Sequence, residues 1–322
     1  VSYKELDVIK DELCELEKFI VRSTSTPQQL ISTAVNELII SGGKRIRPAL
    51  TLLTGRALGN KVDKLIPIAA CMEIIHMATL VHDDIVDDSV LRRGKSTIQS
   101  KYGKDIAVFA GDFLFSQAFM AIAQYADKSN LNNFAKAIKR ICEGEIEQYE
   151  SRYSLNISLL KYMRRIKRKT GVLLALSCVA GIANKIINYK AMKNMYAYGM
   201  NFGMAFQITD DILDYVGVED TVGKPVGNDI KNGIYTLPLI YALNYSDRKE
   251  FLREKLNENL IDDNDTVNEI VEIVRQSGGV EYSINLVDRY IKKGLENIEV
   301  LKESKYKDSL RAIILSLKKR EY

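Results

Sequence analysis

Tryptophan is absent from the 322 residues, and there are only five prolines and two histidines. So few prolines leave few enforced helix breaks, a profile that suits long helices. The four cysteines, Cys14, Cys71, Cys142 and Cys178, form no CxxC pair. Each sits in an apolar helical setting, which predicts buried, reduced thiols. No Ser-His-Asp or Cys-His arrangement is available for covalent catalysis. No run of eighteen apolar residues occurs, which argues against a transmembrane segment, and the N-terminus lacks the apolar stretch of a signal peptide. Position 1 is Val rather than Met, consistent with a trimmed start. The expected location is the cytoplasm. A net charge of +4 is too mild to argue for nucleic acid.

What the chain has in quantity is helical periodicity. Aliphatic and aromatic residues make up 46% of it, enough for a large core, and charged residues 27%. Leu6, Ile9, Leu13, Leu16 and Ile20 recur at three- and four-residue steps, the pattern of one apolar helix face. Thr26-Pro27 reads as an N-cap followed by proline at the first helical position. Ser41-Gly42-Gly43 reads as the stop of that helix. Further helices are expected over roughly 45–58, 62–89, 104–127, 130–151, 155–185 and 188–217. Others follow near 237–244, 247–258, 265–277, 279–303 and 305–320. One long loop, between about Gly217 and Thr236, is rich in Gly, Asp, Lys and Asn, and a loop of that length is usually functional or disordered. No low-complexity linker divides the chain, so residues 1–322 read as a single all-α domain.

Two acidic clusters stand out. Asp83-Asp84-Ile85-Val86-Asp87-Asp88 ends a largely apolar helix, and the four-residue spacing puts Asp83 and Asp87 on one face and pairs Asp84 with Asp88. Like charges repel at that spacing, and a helix C-terminus disfavours anions further. Such a concentration of negative charge needs a cation, and hard oxygen ligands suit Mg²⁺, which shares its shell with substrate phosphates. Asp210-Asp211-Ile212-Leu213-Asp214 repeats the spacing at the end of a second apolar helix. One such cluster alone is often just a solvated face; two are hard to explain that way.

Acidic pairs holding Mg²⁺ imply a phosphate-bearing substrate and hence basic partners. Gly42-Gly43-Lys44-Arg45-Ile46-Arg47-Pro48 supplies three cations in a flexible turn at a helix start. Arg92-Arg93-Gly94-Lys95, Lys169-Thr170 and Lys224 complete the set. Any one of these alone is an ordinary surface charge; their weight comes from accompanying the aspartates. His76 lies seven residues before Asp83, roughly 10 Å along a helix axis. Positions 76, 80, 83 and 87 follow the spacing of one helical face.

In this order the motifs resemble the trans-isoprenyl diphosphate synthase family: Gly-Gly-Lys-Arg-x-Arg-Pro, Asp-Asp-x-x-Asp with Arg-Arg-Gly, Lys-Thr, and Phe-Gln-x-x-Asp-Asp-x-x-Asp, spanning residues 42 to 238. Arg164 to Thr170 and the ending Leu317 to Tyr322 look most similar to the catalytic subunits of hexaprenyl and heptaprenyl diphosphate synthases. The resemblance implies an all-α bundle of ten or more helices around a central cavity. It also implies addition of isopentenyl diphosphate to an allylic diphosphate, with three Mg²⁺ per site. By resemblance Asp83, Asp87 and Asp210 bind the metal, with Asp84, Asp88, Asp211 and Asp214 in support. Arg92, Lys169, Thr170, Gln207 and Lys224 match the grip on the allylic diphosphate. Lys44, Arg47, His76 and Arg93 match the isopentenyl diphosphate pocket, to which Arg45 has the weaker claim. His82 matches no role and reads as a local hydrogen-bonding residue. Many relatives carry a second lysine where Ile234 stands; Lys231, one turn away, is the candidate substitute.

Short-chain relatives carry an aromatic floor four or five places before the first aspartate. Here those places are Thr79 and Ala78, both small, which predicts a product longer than geranylgeranyl, with Ile75, Met72, Cys71 and Phe115 as candidates for a deeper floor. A short-chain synthase is the alternative, and a terpene cyclase or a non-catalytic regulatory subunit are the rivals. The basic grip for a second diphosphate argues against a cyclase, and retention of all seven aspartates argues against a regulatory subunit. The expected assembly is a homodimer, or a heteromer with a small regulatory subunit.

Overall fold

The computed structural model describes residues 4–92, 94–125, 128–182, 189–217, 226–257 and 263–319. A 3₁₀ turn at Lys4–Ile9 leads into α1 (Lys10–Ser23), α2 (Gln29–Ile40), α3 (Ile46–Ala57) and α4 (Val62–Val86). A two-stranded antiparallel ribbon, β1 (Leu91–Arg92) and β2 (Lys95–Ser96), pairs Leu91 with Ser96 and Arg92 with Lys95. Then come α5 (Ile98–Tyr102), α6 (Lys104–Tyr125), α7 (Lys128–Glu150) and α8 (Leu159–Ile166). A π-helical turn at Lys167–Gly171 follows, and then α9 (Val172–Ala180) and α10 (Tyr189–Val216). The remaining helices are α11 (Asn228–Lys231), α12 (Leu237–Tyr245), α13 (Lys249–Asn257), α14 (Asn264–Gln276), α15 (Gly279–Ile298) and α16 (Lys305–Leu315). The all-α reading holds.

Packing groups the chain into two compact units. One comprises Val1–Ala135, Leu176–Tyr196 and Ile298–Ala312; the other Lys136–Ala175, Ala197–Asn297 and Ile313–Tyr322. In the first, α4 packs along α6 and also against α3 and α1. Ala69, Ala70 and Ala78 of α4 and Ala107, Ala110 and Ala118 of α6 are all fully buried. Small side chains let two long helices approach closely, and Gly111 marks such a point. A Cβ there would lie 2.2 Å from His82 Nε2. By length and composition alone α4 and α6 could each cross a bilayer, but 67% of the apolar stretch of α4 is buried inside the protein, as for a core helix.

In the second unit a seam of small residues brings the chain segments together. A Cβ on Gly203 of α10 would lie 2.7 Å from the Cα of Gly171, and one on Gly199 2.6 Å from the Cα of Ala175. Gly144 of α7 meets the other side of the π turn, where an added Cβ would be 2.9 Å from Arg168 Cβ and 3.0 Å from Lys169 N.

Several boundaries differ from expectation. α2 opens at Gln29 rather than at Thr26-Pro27: Gln28 is still extended (φ −74°, ψ 96°), and Thr26 Oγ1 accepts from Gln28 N at a long 3.4 Å. α4 stops at Val86, not 89, because Asp88 takes a left-handed conformation, φ 51°. The helix expected over 155–185 is interrupted by the π turn. Within the loop expected between 217 and 236, Asn228–Lys231 forms a helical turn. Cys71 and Cys178 are buried as expected, but Cys14 and Cys142 are exposed. Leu16 and Ile20 fill the core face of α1, and Cys14 falls on the opposite side.

Candidate active site

The acidic end of α4 does two separate things. The helical hydrogen-bond ladder reaches Asp87, the residue just past α4, whose N–H donates to Asp83 O at 2.9 Å, so Asp83 and Asp87 share a face. Asp84 is buried, and its Oδ1 accepts from Arg92 Nη2 at 2.7 Å and Arg92 Nε at 2.8 Å. This two-pronged contact ties the β-ribbon to the helix end. The second pairing, Asp84 with Asp88, fails: beyond the helix end Asp88 is exposed and meets Lys104 Nζ at 2.9 Å. That hydrogen bond and the ammonium charge hold the Asp88 carboxyl below its ordinary pKa.

A cavity of about 390 Å³ borders this helix, walled among others by Gly42, Arg45, Glu73, His76, Asp84 and Arg92. His76, Asp84 and Arg92 are therefore gathered in one wall. Lys44, Arg47, Asp83 and Asp87 lie outside it; Lys44 is exposed in the turn before α3, and Arg47 is half-buried in its first turn. Between those two, Arg45 is 8% exposed. Its Nη1 meets Glu73 Oε1 at 2.8 Å, its Nε meets Glu17 Oε1 at 3.1 Å, and its Nη2 donates to Ile39 O at 3.2 Å. Burial works against the cation, but Glu73 and Glu17 outweigh it and raise the pKa of Arg45.

The second unit carries the other predicted groups. The π turn at Lys167–Gly171 contains the Lys-Thr pair; turns of this kind are uncommon and concentrate at functional sites. Lys169 Nζ meets Glu145 Oε2 of α7 at 2.8 Å. Thr170 Oγ1 donates to Gln207 Oε1 at 2.7 Å, Gln207 Nε2 to Asp211 Oδ1 at 2.9 Å, and Tyr162 Oη to Asp211 Oδ2 at 2.5 Å. Thr170, Gln207 and Asp211 thus belong to one network. Burial pushes the Asp211 carboxyl up to about 6, against the lowering effect of its two donors. Asp210 is half-buried beside it. Asp214 accepts from Asn228 N and Asp229 N, each at 3.1 Å, and so fixes the start of α11.

Among the described residues, no three His, Cys, Asp or Glu side chains converge to hold a metal by themselves. Asp83 and Asp87, side by side at the end of α4, offer the one or two hard carboxylate ligands that Mg²⁺ takes when water and substrate phosphate complete its shell. Arg93 and Lys224 lie outside the described residues. Lys231 Nζ donates to Asn264 Oδ1 at 2.5 Å, so it is engaged on α14. Ala78 is fully buried, and Thr79 Oγ1 donates to His76 O at 2.9 Å. His82 lies 3.5 Å from Val108 O and from Asp112 Oδ1, both on α6, so its partners are on a neighbouring helix and not local in the chain. Glu73, Glu145 and Tyr162 escaped the sequence reading. Each acts through a partner distant in the chain, and only the buried position of Glu73 in an otherwise apolar stretch of α4 could have drawn notice.

The helical architecture with these aspartate-bearing helix ends defines a polyprenyl synthase type of protein. The crystal structure of polyprenyl synthase from Caulobacter crescentus CB15, complexed with calcium and isoprenyl diphosphate, matches with a TM-score of 0.93. The match covers 99% of this chain and 97% of that one at 30% identity. The chain belongs to the Polyprenyl synthetase family, whose sequence profile matches residues 28–275, and it is a prenyltransferase. It is 35% identical over 314 residues to heptaprenyl diphosphate synthase component 2 of Geobacillus stearothermophilus, covering 98% of this chain and 97% of that protein. It is 36% identical over 305 residues to a short chain isoprenyl diphosphate synthase of Methanothermobacter thermautotrophicus, covering 93% of each.

Proposed function

We propose that this chain condenses isopentenyl diphosphate with farnesyl or geranylgeranyl diphosphate to an all-trans polyprenyl diphosphate longer than geranylgeranyl. The observation that carries the reading is α4, which presents His76 to a cation-bearing cavity and ends on the Asp83/Asp87 pair. In this reading one helix serves both the isopentenyl diphosphate pocket and the metal-binding end.

In this reading Asp83, Asp87 and Asp210 hold Mg²⁺, three ions when substrate is bound, and the metal when bound offsets charge on the departing diphosphate. Arg92, Lys169, Thr170, Gln207 and Lys224 grip the allylic diphosphate, Arg92 exchanging part of its contact with Asp84 for phosphate oxygens. Guanidinium forks suit those oxygens, whereas lysine contributes a point charge. Lys44, Arg47, His76 and Arg93 orient isopentenyl diphosphate. The allylic C–O bond breaks heterolytically, and the isopentenyl double bond supplies the electron pair of the new C–C bond. The released diphosphate takes the proton then lost from carbon.

The small side chains of Ala78 and Thr79 support a long product. α6 supports a partner: Phe109 is 58% and Met120 63% exposed, with Val108 and Phe119 beside them. Such an apolar face is what a second copy, or a small second component, would cover. A cytoplasmic setting fits the free cysteines.

The deciding experiment incubates the purified chain with Mg²⁺, isopentenyl diphosphate and farnesyl diphosphate and measures product length by mass spectrometry. A polyprenyl product from this chain alone supports the homodimer, to be checked by light scattering. Activity that appears only with a second gene product supports the two-component form. Hydrocarbon formed from farnesyl diphosphate without isopentenyl diphosphate would sink the proposal in favour of a cyclase.

A further inference from the structure

Arg45 stands in the middle of the basic turn and borders the cavity, yet its guanidinium is committed to partners within the protein. Of its five N–H donors, Nε, one on Nη1 and one on Nη2 are directed at Glu17 of α1, Glu73 of α4 and the Ile39 carbonyl at the end of α2. Its backbone is left-handed, φ 50° and ψ 33°, at the residue immediately before α3. Such a conformation is unfavourable for a non-glycine residue and persists where surrounding contacts impose it. Glu73 is 4% exposed and stands one helical turn before His76, in the same cavity wall. The guanidinium thus bolts the turn to the helix that carries His76, while Lys44 and Arg47 flank it on either side.

We propose that Arg45 is a positioning residue for the isopentenyl diphosphate pocket. Held by Glu73, it fixes the left-handed turn and so the placement of Lys44 and Arg47 relative to His76. This rests on the reading of that pocket given above. Loss of the anchor leaves the charges of Lys44 and Arg47 in the chain but not in register, so the expected defect falls on one substrate.

The test compares steady-state kinetics of Arg45→Met, the double variant Arg45→Met/Glu73→Leu, and Lys44→Ala. A buried ion pair can often be replaced by apolar residues with little loss of stability, so the double variant is expected to fold even where the single variant, with an uncompensated buried carboxylate, does not. The expected result is a rise of about tenfold in KM for isopentenyl diphosphate in every Arg45 variant that folds, with kcat within about twofold and KM for the allylic substrate unchanged. The double variant is expected to match wild-type thermal stability and still show the raised KM. The inference is overturned if the double variant regains the wild-type KM along with its stability, or if both KM values and kcat shift together. If Lys44→Ala itself leaves the isopentenyl KM unchanged, the assignment of the pocket fails instead.

Discussion

Gly203 stands so close to Gly171 that a Cβ on it would come within 2.7 Å of the Gly171 Cα. Because the obstacle is backbone, it cannot yield as a side chain could. One turn further along α10, Gln207 receives the Thr170 hydroxyl. The seam therefore sets the distance between the π turn and the amide that reads it.

Gly203→Ala is expected to destabilise the protein by roughly 1–3 kcal/mol, the usual cost of overpacking. It should also raise the allylic KM, because Thr170 and Gln207 are pushed apart. Urea unfolding and steady-state kinetics check the two effects separately. An unchanged midpoint would mean that the seam relaxes freely.

Three of the aspartates around the end of α4 are expected to separate by function. Asp83→Asn and Asp87→Asn should each lower kcat on the order of a hundredfold or more, the scale seen when a stabiliser of transition-state charge is removed. Asp88→Asn should cost less than about threefold, since an exposed ion pair contributes little and Asp88 is 76% exposed beside Lys104. A collapse of activity in Asp88→Asn would show that the left-handed residue reaches the metal after all.

Product length offers a third check. Ala78→Tyr places an aromatic ring where the side chain is now fully buried, and the product distribution is expected to shift to shorter chains. Each excluded CH₂ forfeits roughly 0.8 kcal/mol of apolar burial, which makes the truncation sharp. Overpacking lowers stability as well, so the thermal midpoint is measured beside the product profile. Unchanged chain lengths in a folded variant would remove Ala78 from the channel.

Local order was legible in the sequence, and long-range partnership was not. Helical periodicity and four-residue spacing are properties of neighbouring residues, so α4, α10 and the Asp83/Asp87 pair could be read directly. Lys167–Gly171 carries no aliphatic or aromatic side chain, so the apolar period is silent across it and the widening of one turn there leaves no periodic signal. Arg45 with Glu73, Lys169 with Glu145, and Tyr162 with Asp211 meet only after folding, across 28, 24 and 49 residues. The Asp84/Asp88 error has the same root: the spacing was right for a helix, but the helix ended two residues too soon.

The cysteines permit a test without substrate. Burial pushes the Cys71 thiol up to about 12 and raises Cys178 further, so at pH 8 the Cys71 thiolate amounts to on the order of one part in ten thousand. Cys14 and Cys142 are exposed, with Cys142 raised by partial burial and by Glu145 and Glu143 nearby. Titration of the native protein with a thiol-specific disulfide reagent is therefore expected to consume two equivalents, Cys14 faster than Cys142. Two more should follow only at the rate of unfolding in denaturant. Rapid reaction of a third thiol in the native state would mean that α4 or α9 opens locally. The variants Cys71→Ser and Cys178→Ser would then identify which of the two helices moves.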